Sequence, residues 1–127
     1  MGIIAVLAAA AAAWIFGAVW YGVIGKQWMA ATGLTEESID RKNPIPYIGS
    51  FICAVLVAGM TRHILATSGV HDGWGGLLTG LGLGLFIAAP WIATNVLFQQ
   101  KPKSLTWMDG AYPTIGMALM GFVLTLF

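Results

Sequence analysis

Residues 2–24 read GIIAVLAAAAAAWIFGAVWYGVI, an unbroken run without a charged side chain. A helix rises about 1.5 Å per residue, so about 20 apolar residues match a hydrocarbon core about 30 Å thick. The stretch reads as a membrane-spanning helix. Ile45–Leu65, Trp74–Phe98 and Ala111–Phe127 repeat the signal, each apolar and free of central charge. The expected fold is therefore all-α, a single domain over residues 1–127. It is an integral membrane bundle of four transmembrane helices at about 2–24, 45–65, 74–98 and 111–127, joined by short loops.

The composition agrees. Of 127 residues, 58% are hydrophobic and 9% charged, against about a quarter charged in soluble domains. A formal net charge of +1 without a basic stripe speaks against nucleic-acid binding. The single cysteine, Cys53, lies in the second span and reads as a small apolar filler. Ala8–Ala13 supplies A-x-A patterns, but no Lys or Arg precedes the run and it extends past Trp14, so a permanent helix is expected rather than a cleaved signal.

The connections set the expected orientation. Gly25–Asn43 is the most polar, and within it Thr35 is placed to cap a short surface helix at about 35–42. Glu36 and Glu37 would open that helix and Arg41 and Lys42 close it, complementing its dipole. Asn43-Pro44-Ile45-Pro46 then breaks the chain and restarts a helix. Ala66–Gly73 is short, which predicts that the second and third spans are antiparallel neighbours. In the third connection Asp109-Gly110 reads as a turn, with Pro113 in the first turn of the last helix. Lys26, Arg41, Lys42, Lys101 and Lys103 gather on the first and third connections, against Arg62 on the opposite side. By the positive-inside rule those connections are cytoplasmic and both termini lie outside. Trp20, Tyr21, Lys26 and Trp28 form an expected interfacial anchor on that side.

Small residues recur at every fourth position in three spans: Ala5, Ala9, Ala13 and Gly17; Ser50, Ala54 and Ala58; Gly76, Gly80, Gly84 and Ala88. In lipid the hydrophobic effect does not draw helices together, so close backbone approach must, and Gly and Ala permit it. Such stripes serve either packing within one chain or a subunit interface, and several stripes allow one for each. Pro90, Thr94 and Asn95 suggest either a hinge beside a polar pocket or a structural kink. Asp72 is a candidate partner for Arg62, and His63 and His71 read as surface histidines rather than metal ligands.

No catalytic constellation is evident, the Gly73–Gly84 run lacks the Lys-Ser/Thr of a phosphate loop, and no carboxylate falls within the expected spans. Neither cofactor nor metal is expected.

Ala18-Val19-Trp20-Tyr21-Gly22, then Gly25-Lys26-Gln27-Trp28-Met29 and Gly33-Leu34-Thr35-Glu36-Glu37, resemble the opening of the bacterial membrane family known as domain of unknown function 1761. The stretch from Trp91 to Phe98, with Lys101-Pro102 and Trp107, is similar to that family's third-helix exit. The resemblance implies a four-helix integral membrane protein, in a bacterial inner membrane, and no particular activity, ligand or catalytic residue. The two halves also share a layout, from which a parallel repeat would follow.

The leading expectation is a non-enzymatic accessory, scaffold or assembly subunit. It would act through helix packing, in the lipid bilayer, as a homo-oligomer or within a larger membrane complex. The alternatives are a small oligomeric transporter or channel for a neutral or apolar solute, and a lipid or pigment binder with a groove between helices.

Overall fold

A computed structural model describes residues 2–127. Helix α1 (Gly2–Val23) bends at Ile24 into the short α2 (Gly25–Thr32); α3 is Ile45–Thr67, α4 Gly73–Leu83, α5 Ala89–Phe98 and α6 Ser104–Leu124. A π-helical turn, Gly84–Ala88, joins α4 to α5, so that Gly73–Phe98 forms one continuous rod. The protein is all-α among the described residues, and α1, α3 and the α4–α5 rod are long and apolar enough to cross a membrane.

Local chemistry sets most boundaries. Asn43 Oδ1 accepts from the Ile45 N–H at 3.1 Å, and Pro46 occupies the first turn of α3, where a missing N–H costs nothing. Asp72 caps α4, its Oδ2 accepting from the Gly75 N–H at 2.8 Å. Gly33, at φ 80°, closes α2 in the left-handed conformation that side chains disfavour. Pro90 lacks an N–H, and its ring would crowd the Phe86 carbonyl in a regular helix. The preceding turn widens instead: the Ala89 N–H reaches back five residues to the Gly84 carbonyl.

Packing centres on α6. It runs antiparallel to the α4–α5 rod, with Gly76 against Gly121, Gly80 against Met117, Gly84 against Pro113 and Ala89 against Gly110. A Cβ on Gly76, Gly80 or Gly84 would collide with the backbone carbonyls of Gly121, Met117 and Pro113. The glycine stripe is therefore consumed inside the chain. On another face α1 runs antiparallel to α6: Gly116 faces Ala13, and Gly17 lies under the Tyr112 ring. Helix α3 in turn packs antiparallel on α1, where the Trp14 Nε1–H donates to Ser50 Oγ at 3.0 Å and Trp14 meets Phe51 edge-on at 5.5 Å. Ala5, Ala9, Ala13, Ala54 and Ala58 are buried together with Met120 and Leu124.

Several expectations are corrected. Residues 35–42 form turns rather than a helix, because side chains there take the backbone donors. Thr35 Oγ1 accepts from the Ser38 N–H at 3.2 Å, and Asp40 Oδ1 from the Lys42 N–H at 3.1 Å. The short helix is Gly25–Thr32, held down by Ile24 and Trp28. Helix α6 begins at Ser104, not near 111, so Asp109-Gly110 and Pro113 are internal to it. Burial of Leu105 and Met108 against Ile24 and Val96 outweighs the turn preference of Asp-Gly. Helices α3 and α4 touch at only a few residues, because α6 and not α3 takes the glycine face. The long α1–α6 seam has no counterpart between α3 and α4, so the packing is not that of a parallel repeat.

Two stripe members are also displaced. Ser50 is exposed, and Ala88 gives way to Ala89, because the π turn lengthens the repeat from four residues to five. Cys53 is exposed rather than a buried filler. Asp72 caps α4 and makes no ion pair with Arg62, whose side chain lies over Gly2.

The glycines yield a test with opposite signs. Gly80→Ala forces α4 from α6 and should lower stability by about 1–3 kcal/mol, the range for overpacking. Gly82, on the opposite side of the helix with nothing near its missing Cβ, should give a Gly82→Ala variant of equal or higher stability, by up to about 1 kcal/mol. Thermal unfolding of both variants in mild detergent measures the pair.

Candidate functional site

Where α1, α2 and α6 meet, the side chains form a polar node. The Tyr21 hydroxyl donates to Asp109 Oδ1 at 2.7 Å, and the Trp28 Nε1–H donates to the same oxygen at 3.0 Å. The Trp20 Nε1–H donates to the Met108 carbonyl at 2.7 Å. Near-perpendicular ring pairs tie the node together: Tyr21–Trp28 at 5.7 Å, Tyr21–Tyr112 at 5.8 Å and Trp20–Trp107 at 6.2 Å. Beneath it Ile24, Val96, Leu105 and Met108 are buried. The one ion pair among the described residues, Arg41 with Glu36 at 3.0 Å, lies elsewhere, so Asp109 is held by neutral donors. A hydrogen bond to a charged group contributes about 1.5–3 kcal/mol, enough for this carboxylate to clamp α2 to the bundle.

Three of the four expected anchor residues, Trp20, Tyr21 and Trp28, thus converge on one helix end. Lys26 does not join them; it is exposed on α2.

The second feature is a lateral cleft of 310 Å³ between α3 and the π turn, floored by α6. Cys53, Ala54 and Val57 line one wall, Ala88 the other, and Gly116, Met117 and Met120 the floor. At one end stand Ser50 and Tyr112. The Ser50 hydroxyl is already engaged, accepting from Trp14 and donating to the Tyr47 carbonyl at 3.0 Å. Tyr112 links the two features, because its ring borders the cleft and also packs on Tyr21. The cleft volume is at the lower end for small-ligand sites, about 300–1,000 Å³.

The remaining candidates separate into two groups. Ala5, Ala9, Ala13, Gly17, Ala54, Ala58, Gly76, Gly80 and Gly84 are buried within the chain. Pro90, Thr94 and Asn95 are exposed on the outside of the α4–α5 rod, and none of them lines the cleft, so they do not build a hinge-side polar pocket. The Thr94 hydroxyl donates back to the Pro90 carbonyl at 3.1 Å. His63 and His71 are exposed near the opposite end.

Asp109 is the residue that sequence reasoning missed. Its signal was the spacing of Leu105, Met108 and Tyr112, which is helical and runs straight through Asp-Gly.

Fold and site together define a helical protein with three segments long and apolar enough to cross a membrane, compatible with a multi-pass membrane protein. A family model described as Protein of unknown function (DUF1761) matches residues 4–125, nearly the whole chain. The chain belongs to that family. Neither the curated proteins nor the solved structures contain a match.

The node predicts a graded series. Asp109→Asn keeps an acceptor oxygen and should cost less than Asp109→Leu, which strands the Tyr21 and Trp28 donors and should cost about 3–6 kcal/mol for two lost charge-assisted bonds. In a double-mutant cycle Tyr21→Phe and Asp109→Asn should couple by about 0.5–3 kcal/mol, read from unfolding in detergent.

Proposed function

We propose that the protein is a non-enzymatic, four-span integral membrane protein that holds a hydrocarbon chain from the bilayer in the cleft between α3 and the π turn. The cleft is the observation that carries this reading. Its lining is almost wholly apolar, and Ala88 stands ten residues, about 15 Å, from the end of α5 at Phe98. That is about half of a 30 Å hydrocarbon core. At such a depth the available solvent is lipid tail.

Helix α6 is read as the fourth span. It has 21 residues, runs antiparallel to α1 and the α4–α5 rod, and buries eight of its residues among them. A helix so enclosed needs less apolar surface than its neighbours, and its polar groups are satisfied internally. Asp109 is held by Tyr21 and Trp28, and the Thr114 hydroxyl donates to the Gly110 carbonyl at 2.7 Å. Lysines on the α2–α3 and α5–α6 connections support placing these on the cytoplasmic side of a bacterial inner membrane, with both termini outside.

Assembly through the glycine stripe gains no support, since α6 occupies that face. A transport path along Pro90 and Asn95 gains none either, since both are exposed on the outer surface.

The Cys53→Trp substitution tests the reading. Cys53 is exposed and borders the cleft, so the indole can enter it without disturbing the core. Lipid retained after purification in mild detergent, read by native mass spectrometry, should fall several-fold while the unfolding temperature is kept. Unchanged retention in the folded variant would remove the cleft as a binding site.

A further inference from the structure

We infer that the chain held in the cleft belongs to an anionic phospholipid, whose headgroup phosphate lies against Lys101 and Lys103 at the end of the rod that forms one wall. This rests on the cleft reading above and adds the headgroup.

Both walls of the cleft lead to the same end of the bundle. Helix α3 starts at Ile45, five residues before Ser50, and α5 runs from beside Ala88 to Phe98. The route along α5 is about 15 Å, the depth that one acyl chain covers in a single leaflet of a 30 Å core. A lipid with its tail in the cleft therefore places its headgroup at the level of the α5–α6 connection.

The charge there is one-sided. Lys101 and Lys103 are exposed and form no ion pair among the described residues. The next acidic residue, Asp109, is turned inward onto Tyr21 and Trp28. The neighbouring α2–α3 connection does not share this character. Its Lys42 sits beside Asp40, Glu37 and Glu36, and its Arg41 is paired with Glu36. The opposite end offers Arg62, but that side chain lines other grooves, with Gly2 and with Leu124, and not the cleft. Two exposed ammonium groups on the connection that follows the wall helix complement a phosphate joined to an acyl chain.

The experiment uses the full chain in phosphatidylcholine nanodiscs containing a minor fraction of phosphatidylglycerol or phosphatidylcholine with a diazirine in the acyl chain. After irradiation, adducts are mapped by mass spectrometry. The expected result is labelling at Cys53, Val57 or Met117 that favours phosphatidylglycerol. That preference should drop at least about fivefold in Lys101→Gln/Lys103→Gln, since each basic residue near an anionic surface contributes about that factor. Both lysines are exposed, so the double variant keeps the fold. Equal labelling of the cleft by both lipids would overturn the headgroup assignment and leave the cleft reading standing. Absence of any lipid adduct in the cleft, or a protein cross-linked there in its place, would overturn both.

Discussion

The structure depends on a contact made without side chains. Gly76, Gly80 and Gly84 let the backbone of α4 rest on the backbone carbonyls of Gly121, Met117 and Pro113, and Gly121 returns the fit against the Gly76 carbonyl. Apolar side chains are as well solvated by lipid tails as by one another, so they give little reason for two membrane helices to associate. Close approach supplies that reason through dispersion and short-range dipolar contacts. Because α6 is committed to α4 in this way, its remaining faces decide where the other helices go. Ala13 and Gly17 of α1 meet Gly116 and Tyr112, and α3 reaches the bundle mainly through α1.

The π turn belongs to the same contact. Contacts along the rod fall at residues 76, 80, 84 and then 89, so the step lengthens from four to five where the turn lies. A regular helix after Gly84 would bring Ala88 to α6, and Pro90 would crowd the Phe86 carbonyl. The wider turn removes that clash and brings Ala89 onto Gly110 instead. Proline here directly follows the π turn, in the first turn of α5. It resets the register of a helix whose contact face has already been fixed by glycine.

The segments at 2–24, 45–65 and 74–98 were legible because each keeps an unbroken apolarity over a length sufficient to cross a membrane. The stripes were legible where the helix stays regular, and the reading slipped by one residue only past the π turn, where Ala89 takes the place of Ala88. The last helix was hard to bound for the opposite reason. Being central, α6 is selected for fit rather than for apolarity, so it carries Asp109, Gly110 and Pro113, three residues that elsewhere mark a turn. Thr35 misled in the other direction. It does cap a turn, but with Asp40 and Asn43 also bonding to nearby backbone, no helix propagates. The node around Asp109 could not be assembled from spacing, since its donors lie 81 and 88 residues away in the chain. The cleft was not legible at all, because it is a product of which helices fail to touch.

That failure follows from the order of packing. Once α6 has taken the glycine face of α4 and the small-residue face of α1, α3 can pack against α1 but stays apart from the α4–α5 rod along most of its length. The residues bordering the gap do not close it: Ala54, Ala88 and Gly116 are small where a leucine would fill the space. A void in a water-soluble core weakens the protein, because nothing apolar is present to occupy it. On the reading proposed above, the same void opens at mid-depth in a bilayer, where a lipid tail would supply the missing contacts. Small residues thus play two roles in this chain. Facing a helix they bring backbones together, and facing the gap they keep the cleft open.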